Sequence, residues 1–168
     1  MQCPGTRNTA TTSPSVTRGD DRPWGRAVLD TQVVLDWLVF RDIGVRALAD
    51  AINTRSLRWL TSQAMQDELE HVLDRGVAAS WQPDRRAIAA AFDTLAVRIV
   101  ASAPLTAPLR CSDPDDQMFI DLALTSGVQW LFTRDLALLR LAPRALERGV
   151  TVLRPADWQP STVSRTQK

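Results

Sequence analysis

The sequence has no tyrosine, a single histidine (His71), two cysteines and seven glycines, and its one lysine, Lys168, is the last of 168 residues. Each scarcity removes a class of chemistry. Without an internal lysine there is no phosphate-loop lysine, no Schiff base and no kinase-type lysine. One histidine excludes the two-histidine zinc protease motif and any all-histidine metal cage. Cys3 and Cys111 stand far apart with no CxxC pair, so a disulfide scaffold is excluded and a reducing compartment is expected. No apolar run approaches the roughly 18 residues of a membrane span, and no apolar signal-peptide core opens the chain. These readings give a cytoplasmic protein with no membrane partner. A formal net charge of +1, from 20 basic and 19 acidic residues, makes no overall case for nucleic acid. Any such role rests on how the charges are arranged.

What is present fits one domain with a genuine core. Residues 1–24 are Thr, Ser, Pro, Gly, Asp and Arg with little to bury, and are read as a disordered leader. Residues 159–168 are read as a disordered tail, leaving 25–158 as the folded part. Within it, short apolar runs alternate with helical patterns. Strands are expected at Ala27–Leu29, Leu57–Leu60, Val97–Ala101, Val128–Phe132 and Val150–Leu153. Helices are expected over Val33–Phe40 and Val45–Ile52, then after an N-cap at Ser62 until Gly76, and after Pro83. A further helix should open at Asp113-Pro114 and end at Gly127, followed by a short one over Leu136–Leu141. Apolar strands separated by helices predict an α/β fold: three layers, α/β/α, around a central parallel sheet of four to five strands.

In open parallel sheets, sites form at the carboxyl ends of the strands. Asp30 directly follows the first expected strand, and Asp135 follows the fourth by way of Thr133-Arg134. Either alone reads as a helix cap. Glu68 flanks the apolar stripe of Met65, Leu69 and Val72, and there needs either an arginine partner or a metal. In Asp113-Pro114-Asp115-Asp116, Asp113 is explained as a cap, whereas helical phase does not separate Asp115 from Asp116. Were four carboxylates to converge at roughly 5 Å, each like-charge pair would cost about 3 kcal/mol at an effective dielectric of about 20. Such a pocket requires a cation or strongly raised pKa values. Oxygen ligands suit Mg²⁺ or Mn²⁺, one or two ions, rather than zinc. A metal that activates water needs no His or Lys base, which agrees with the composition.

Four segments carry a family resemblance. Val28-Leu29-Asp30-Thr31-Gln32-Val33-Val34, the helix SQAMQDELEHVL from Ser62, DPDDQMFIDLA from Asp113, and Leu131-Phe132-Thr133-Arg134-Asp135 resemble, in order, the four motifs of PIN domains. The likeness runs from about Arg26 to Trp158 and is nearest to the toxin components of toxin–antitoxin systems. It implies that Asp30, Glu68, Asp116 and Asp135 hold metal, with Asp113 and Asp115 as alternates, and that Thr31, Gln32 and Thr133 orient them. It also implies ribonuclease activity on RNA, an antitoxin partner and a homodimer. Gln32 departs from the family's usual Asn, which leaves open a degenerate PIN domain that binds RNA or protein without catalysis.

Other features are weaker. Glu68-x-x-His71 is half of a di-iron motif with no second half, and no nucleophile elbow accompanies His71. A haloacid-dehalogenase-like phosphatase also places Asp after its first strand, but it wants Asp-x-Asp where this chain has Asp30-Thr31-Gln32. Trp37, Trp59 and Trp130 read as core, and Trp81 as the one tryptophan suited to a partner. Arg41, Arg134 and Arg140 near the expected active edge are candidate phosphate contacts. The Val45–Ile52 helix is a candidate partner face, though its amphipathicity more simply means core packing.

Overall fold

A computed structural model describes residues 25–100, 105 and 107–160. The expected leader, Ala101 and the tail beyond residue 160 lie outside the described residues. The elements follow in the order β1 Gly25–Leu29, α1 Thr31–Leu35, a π turn Asp36–Phe40, a 3₁₀ turn Ile43–Val45 and α2 Arg46–Asn53. Then come β2 Leu57–Thr61, α3 Gln63–Asp74, a 3₁₀ turn Ala79–Trp81, α4 Arg85–Leu95 and β3 Ala96–Arg98. α5 Gln117–Thr125, β4 Trp130–Phe132, α6 Leu136–Leu139, α7 Ala142–Leu146 and β5 Thr151–Leu153 complete the alternation, with a final 3₁₀ turn at Pro155–Asp157.

All five strands run parallel in the order β3-β2-β1-β4-β5. The chain therefore winds outward from β1 to β3 and returns to lay β4 on the other side of β1. That reversal opens a crevice beyond the carboxyl ends of β1 and β4, where α/β sheets bind ligands. Leu29 pairs with Phe132 at the top of this seam, so the next residues of both strands, Asp30 and Thr133, stand side by side.

Strand alternation divides the core into two layers. Ala27, Leu29, Leu57, Trp59 and Phe132 pack under α1, α2 and α4, joined by Leu69, Val72 and Leu73 of α3. Val28, Leu60, Leu131 and Val152 pack under α5, α6 and α7 on the other face. Burying each such side chain contributes roughly 1.5–3 kcal/mol. Trp59 is fully buried between Trp37 and Phe92, with ring centroids 5.7 and 4.5 Å away. A Cβ at Gly25 would run into the Trp130 ring, which lies across β1. Among the described residues no helix is long and apolar enough to cross a membrane.

Several expected boundaries move for physical reasons. The Asp113-Pro114 segment is a turn, and α5 begins only at Gln117. The Asp113 carboxylate accepts from Asp115 N–H at 3.0 Å, and the Pro114 carbonyl accepts from Gln117 N–H at 3.2 Å. Both bonds close the chain locally before a helix can start. The single helix expected over Val33–Phe40 starts at Thr31 and widens into the π turn at Asp36, ending at Arg41 in the left-handed region (φ 53°). β3 is an edge strand with Val97 exposed, not a buried apolar run. α7 was not anticipated, because Pro143 masks it and only Ala145 of its residues is buried. The apolar face of α2, with Leu48, Ala49, Ala51 and Ile52, is buried in the chain's own core and is not a partner face. Ser62 caps α3, accepting from Met65 N–H at 3.4 Å, as expected. Gly76 and Gly127 follow α3 and α5 with positive φ, as a left-handed helix exit requires.

Candidate functional site

Asp30 is 3% exposed and caps α1, its Oδ1 accepting from Val33 N–H at 2.7 Å. Its Oδ2 faces Arg134 N–H at 3.3 Å, and the Thr133 hydroxyl bonds to the same carboxylate. Thr133 in turn accepts from Asp135 N–H at 2.9 Å. Asp135 caps α6 through Ala137 N–H at 2.5 Å. The capping and site readings of these two aspartates are therefore compatible, since each holds a helix start while standing at the switch-point crevice.

Asp116 occupies the N-cap position of α5 but makes no side-chain capping bond. Its carboxyl hydrogen-bonds with that of Asp135, and the charges of Asp135, Asp113 and Asp30 act on it. Burial first, then the charges of these three carboxylates, lifts the Asp116 carboxyl from 3.8 to about 7. Burial lifts Asp30 to about 6 despite hydrogen bonds from Thr133, Val33 and Arg134 that favour its charged form. Among the described residues no ion pair neutralises Asp30, Asp113, Asp116 or Asp135. The Cys111 thiol sits beside the same cluster, raised by burial and by the charges of Asp116, Asp113 and Asp135.

Glu68 is not drawn in. Its Oε1 lies 3.8 Å from Arg75 Nη2, the arginine partner that the sequence left open. It is carried by α3, which packs against α1 and α5. Asp115 is exposed, its N–H held by Asp113. Thr31 Oγ1 is buried without a hydrogen-bond partner. Gln32 donates to Asp36 Oδ1 at 2.9 Å. Arg134 lies against Asp36 and Asp42, at 2.7 and 3.0 Å. Arg41 lines a groove with Trp37, Ile43 and Arg46, and Arg140 lines another with Arg154 and Asp157. Trp81 is 59% exposed and meets Phe40 edge-on at 5.3 Å.

Three residues with site roles were missed from sequence. Asp36 and Asp42 hold Arg134, and Gln117 ties the loop before α5 by donating to the Leu109 carbonyl and accepting from Cys111 N–H, at 2.8 and 2.9 Å. The Gln32–Asp36 spacing of four on a helix was a readable signal. The contact of Gln117 with a residue eight positions earlier was not.

Among the described residues no three His, Cys, Asp or Glu side chains form a ready metal cage. The donor chemistry nevertheless fits a divalent cation: oxygen atoms only, partly buried, mutually repelling and without a cationic partner. A five-stranded parallel sheet with acids at its switch point defines an α/β domain with a carboxylate-lined crevice. The PIN domain family matches residues 26–137, and the chain belongs to that family. PIN domains are generally nucleases and typically use divalent metals. No curated protein matches the sequence.

Proposed function

We propose that this chain is a divalent-metal-dependent ribonuclease that hydrolyses RNA phosphodiester bonds. The observation that carries the reading is the unneutralised pair at the seam, Asp30 and Asp116, lifted to about 6 and about 7 by burial and neighbouring carboxylates. A fold keeps such repulsion where a cation relieves it. Asp30, Asp116 and Asp135 would hold Mg²⁺ or Mn²⁺, with Glu68 completing the set from α3 once released from Arg75. The bound metal supplies Lewis acidity toward the phosphate and a more acidic water. Thr133 orients Asp30 by donating its hydroxyl proton while receiving Asp135 N–H, so one side chain ties the Asp30 carboxylate to the backbone of Asp135.

The test is RNA cleavage by purified protein with Mn²⁺, together with calorimetric Mn²⁺ titration. Asp30→Asn should reduce cleavage to background and weaken metal uptake while far-UV circular dichroism stays unchanged. Undiminished cleavage by that variant refutes the assignment. Two observations favour a second reading, a domain that binds RNA or protein without catalysis: Glu68 faces Arg75, and Gln32 faces Asp36. That reading expects no carboxylate-dependent Mn²⁺ uptake by the wild type. The finer role proposed is the toxin of a toxin–antitoxin pair in the cytoplasm, acting as a homodimer. Growth arrest on expression, relieved by a small reading frame upstream of the gene, tests it.

A further inference from the structure

Beside the acid cluster lies a second charged assembly that the proposed chemistry does not use. Asp36, on the π turn, is 4% exposed. Gln32 Nε2 donates to its Oδ1 at 2.9 Å, and Arg134 Nε stands 2.7 Å from its Oδ2, an ion pair whose N–H is not aligned on the oxygen. Nη2 of the same guanidinium is 3.0 Å from Asp42 Oδ1, which also accepts from Gly44 N–H at 2.6 Å. The Asp42 N–H donates to the Asp36 carbonyl at 2.9 Å, so the two acids are fixed relative to each other. One arginine thus bridges two carboxylates on a rigid frame, a task that suits the planar fork of guanidinium and not the point charge of lysine.

The position of this arginine matters more than its charge. Its backbone N–H faces Asp30 Oδ2 at 3.3 Å, and its neighbours are Thr133, which bonds to Asp30, and Asp135. Among the described residues the loop that brings β4 to the site is otherwise tied by its backbone, by the Thr133 hydroxyl and by the Asp135 cap on Ala137 N–H. A side chain rooted in Asp36 and Asp42 fixes that loop from the opposite side of the seam. An arginine with two of its three nitrogens set against acids also has less positive charge left to offer a phosphate.

We propose that Arg134 is a positioning residue. The series Gln32–Asp36–Arg134–Asp42 sets the place of the Thr133–Asp135 loop, and thereby the Arg134 N–H on Asp30 and the carboxylate of Asp135. The consequence for catalysis rests on the metal-nuclease reading above; the anchoring itself does not.

Amide hydrogen exchange of the full, metal-free chain tests the anchor directly. Arg134→Gln and Asp36→Asn should each speed exchange at Arg134 and Asp135 by about tenfold or more, while Leu131 in β4 keeps its protection. The double variant should be no worse than Arg134→Gln alone, which already removes the contact with Asp36 that Asp36→Asn weakens. Arg134→Lys should restore protection only in part. Gln32→Leu, a milder change, serves if Asp36→Asn does not fold, and should give a smaller effect at the same two amides. With metal and RNA, Arg134→Gln should weaken Mn²⁺ binding about 10- to 100-fold and lower kcat, leaving KM nearly unchanged. Unchanged exchange at Arg134 and Asp135, or equal acceleration throughout β4, overturns the proposal. So does a raised KM with unchanged kcat and Mn²⁺ affinity, the signature of a phosphate contact. If the wild type takes up no Mn²⁺, the nuclease reading fails while the exchange data still decide the anchor.

Discussion

Replacing Asp116 by Asn should stabilise the metal-free protein, by an amount that grows as pH rises from about 4 to about 7. A carboxyl whose pKa rises on folding binds more protons in the folded than in the unfolded chain. Stability therefore falls as pH rises, here from about 4 through about 7 for Asp116 and from about 4 through about 6 for Asp30. Moving Asp116 from 3.8 to about 7 sets a ceiling of about 4 kcal/mol at about 1.4 kcal/mol per pH unit. Asp116 is only partly buried, and solvent screening of its neighbours reduces this to about 1–2 kcal/mol. At pH 8.5, thermal unfolding in EDTA should show the Asn variant melting about 3–8 °C above wild type. Only at about pH 3.5, below both values, is the wild-type carboxyl protonated in the folded and the unfolded chain alike, and there the two should melt together. Saturating Mn²⁺ should reverse the order at pH 8.5, since it binds the folded wild type and the variant has lost a ligand. A stabilisation that is the same at both pH values, or absent at both, refutes stored repulsion as the property of this cluster.

Further outcomes follow from individual contacts. Gln117→Ala removes the bonds to the Leu109 carbonyl and Cys111 N–H; it should lower stability by about 1–3 kcal/mol in urea unfolding. The same change should weaken Mn²⁺ uptake, since the loop it holds leads into Asp113 and Asp116. Ser62→Ala removes the cap of α3 at a bond of 3.4 Å, a loss of about 0.5–1 kcal/mol by the same measurement. RNA cleavage by that variant should be nearly unchanged at a temperature well below its melting point.

The sequence carried the alternation of apolar strands and helices because both periods are local. Ala27–Leu29 and Val128–Phe132 read as buried strands from side-chain type alone, and Ser62 and Gly127 marked helix ends by capping chemistry. It misread Asp113-Pro114 as a helix start because the competing Asx turn and the reach of Gln117 back to Leu109 depend on loop geometry. Asp30 and Asp135 were legible as carboxylates at strand ends, and Asp116 needed the family pattern to distinguish it from Asp115. The charge that surrounds Arg134 was not legible, since Asp36 and Asp42 lie far from it in the chain.

By itself, then, the sequence determined an α/β chain with too few lysines and histidines for side-chain base chemistry and with aspartates at the ends of its strands. Only the tertiary structure decided which of them meet. The strand order places β4 beside β1, so Asp30 and the Thr133–Asp135 loop share one crevice. Asp116 is brought there by α5, while Glu68 is left facing Arg75. Repulsion between carboxylates depends on separation and burial, and those are properties of the packed chain alone.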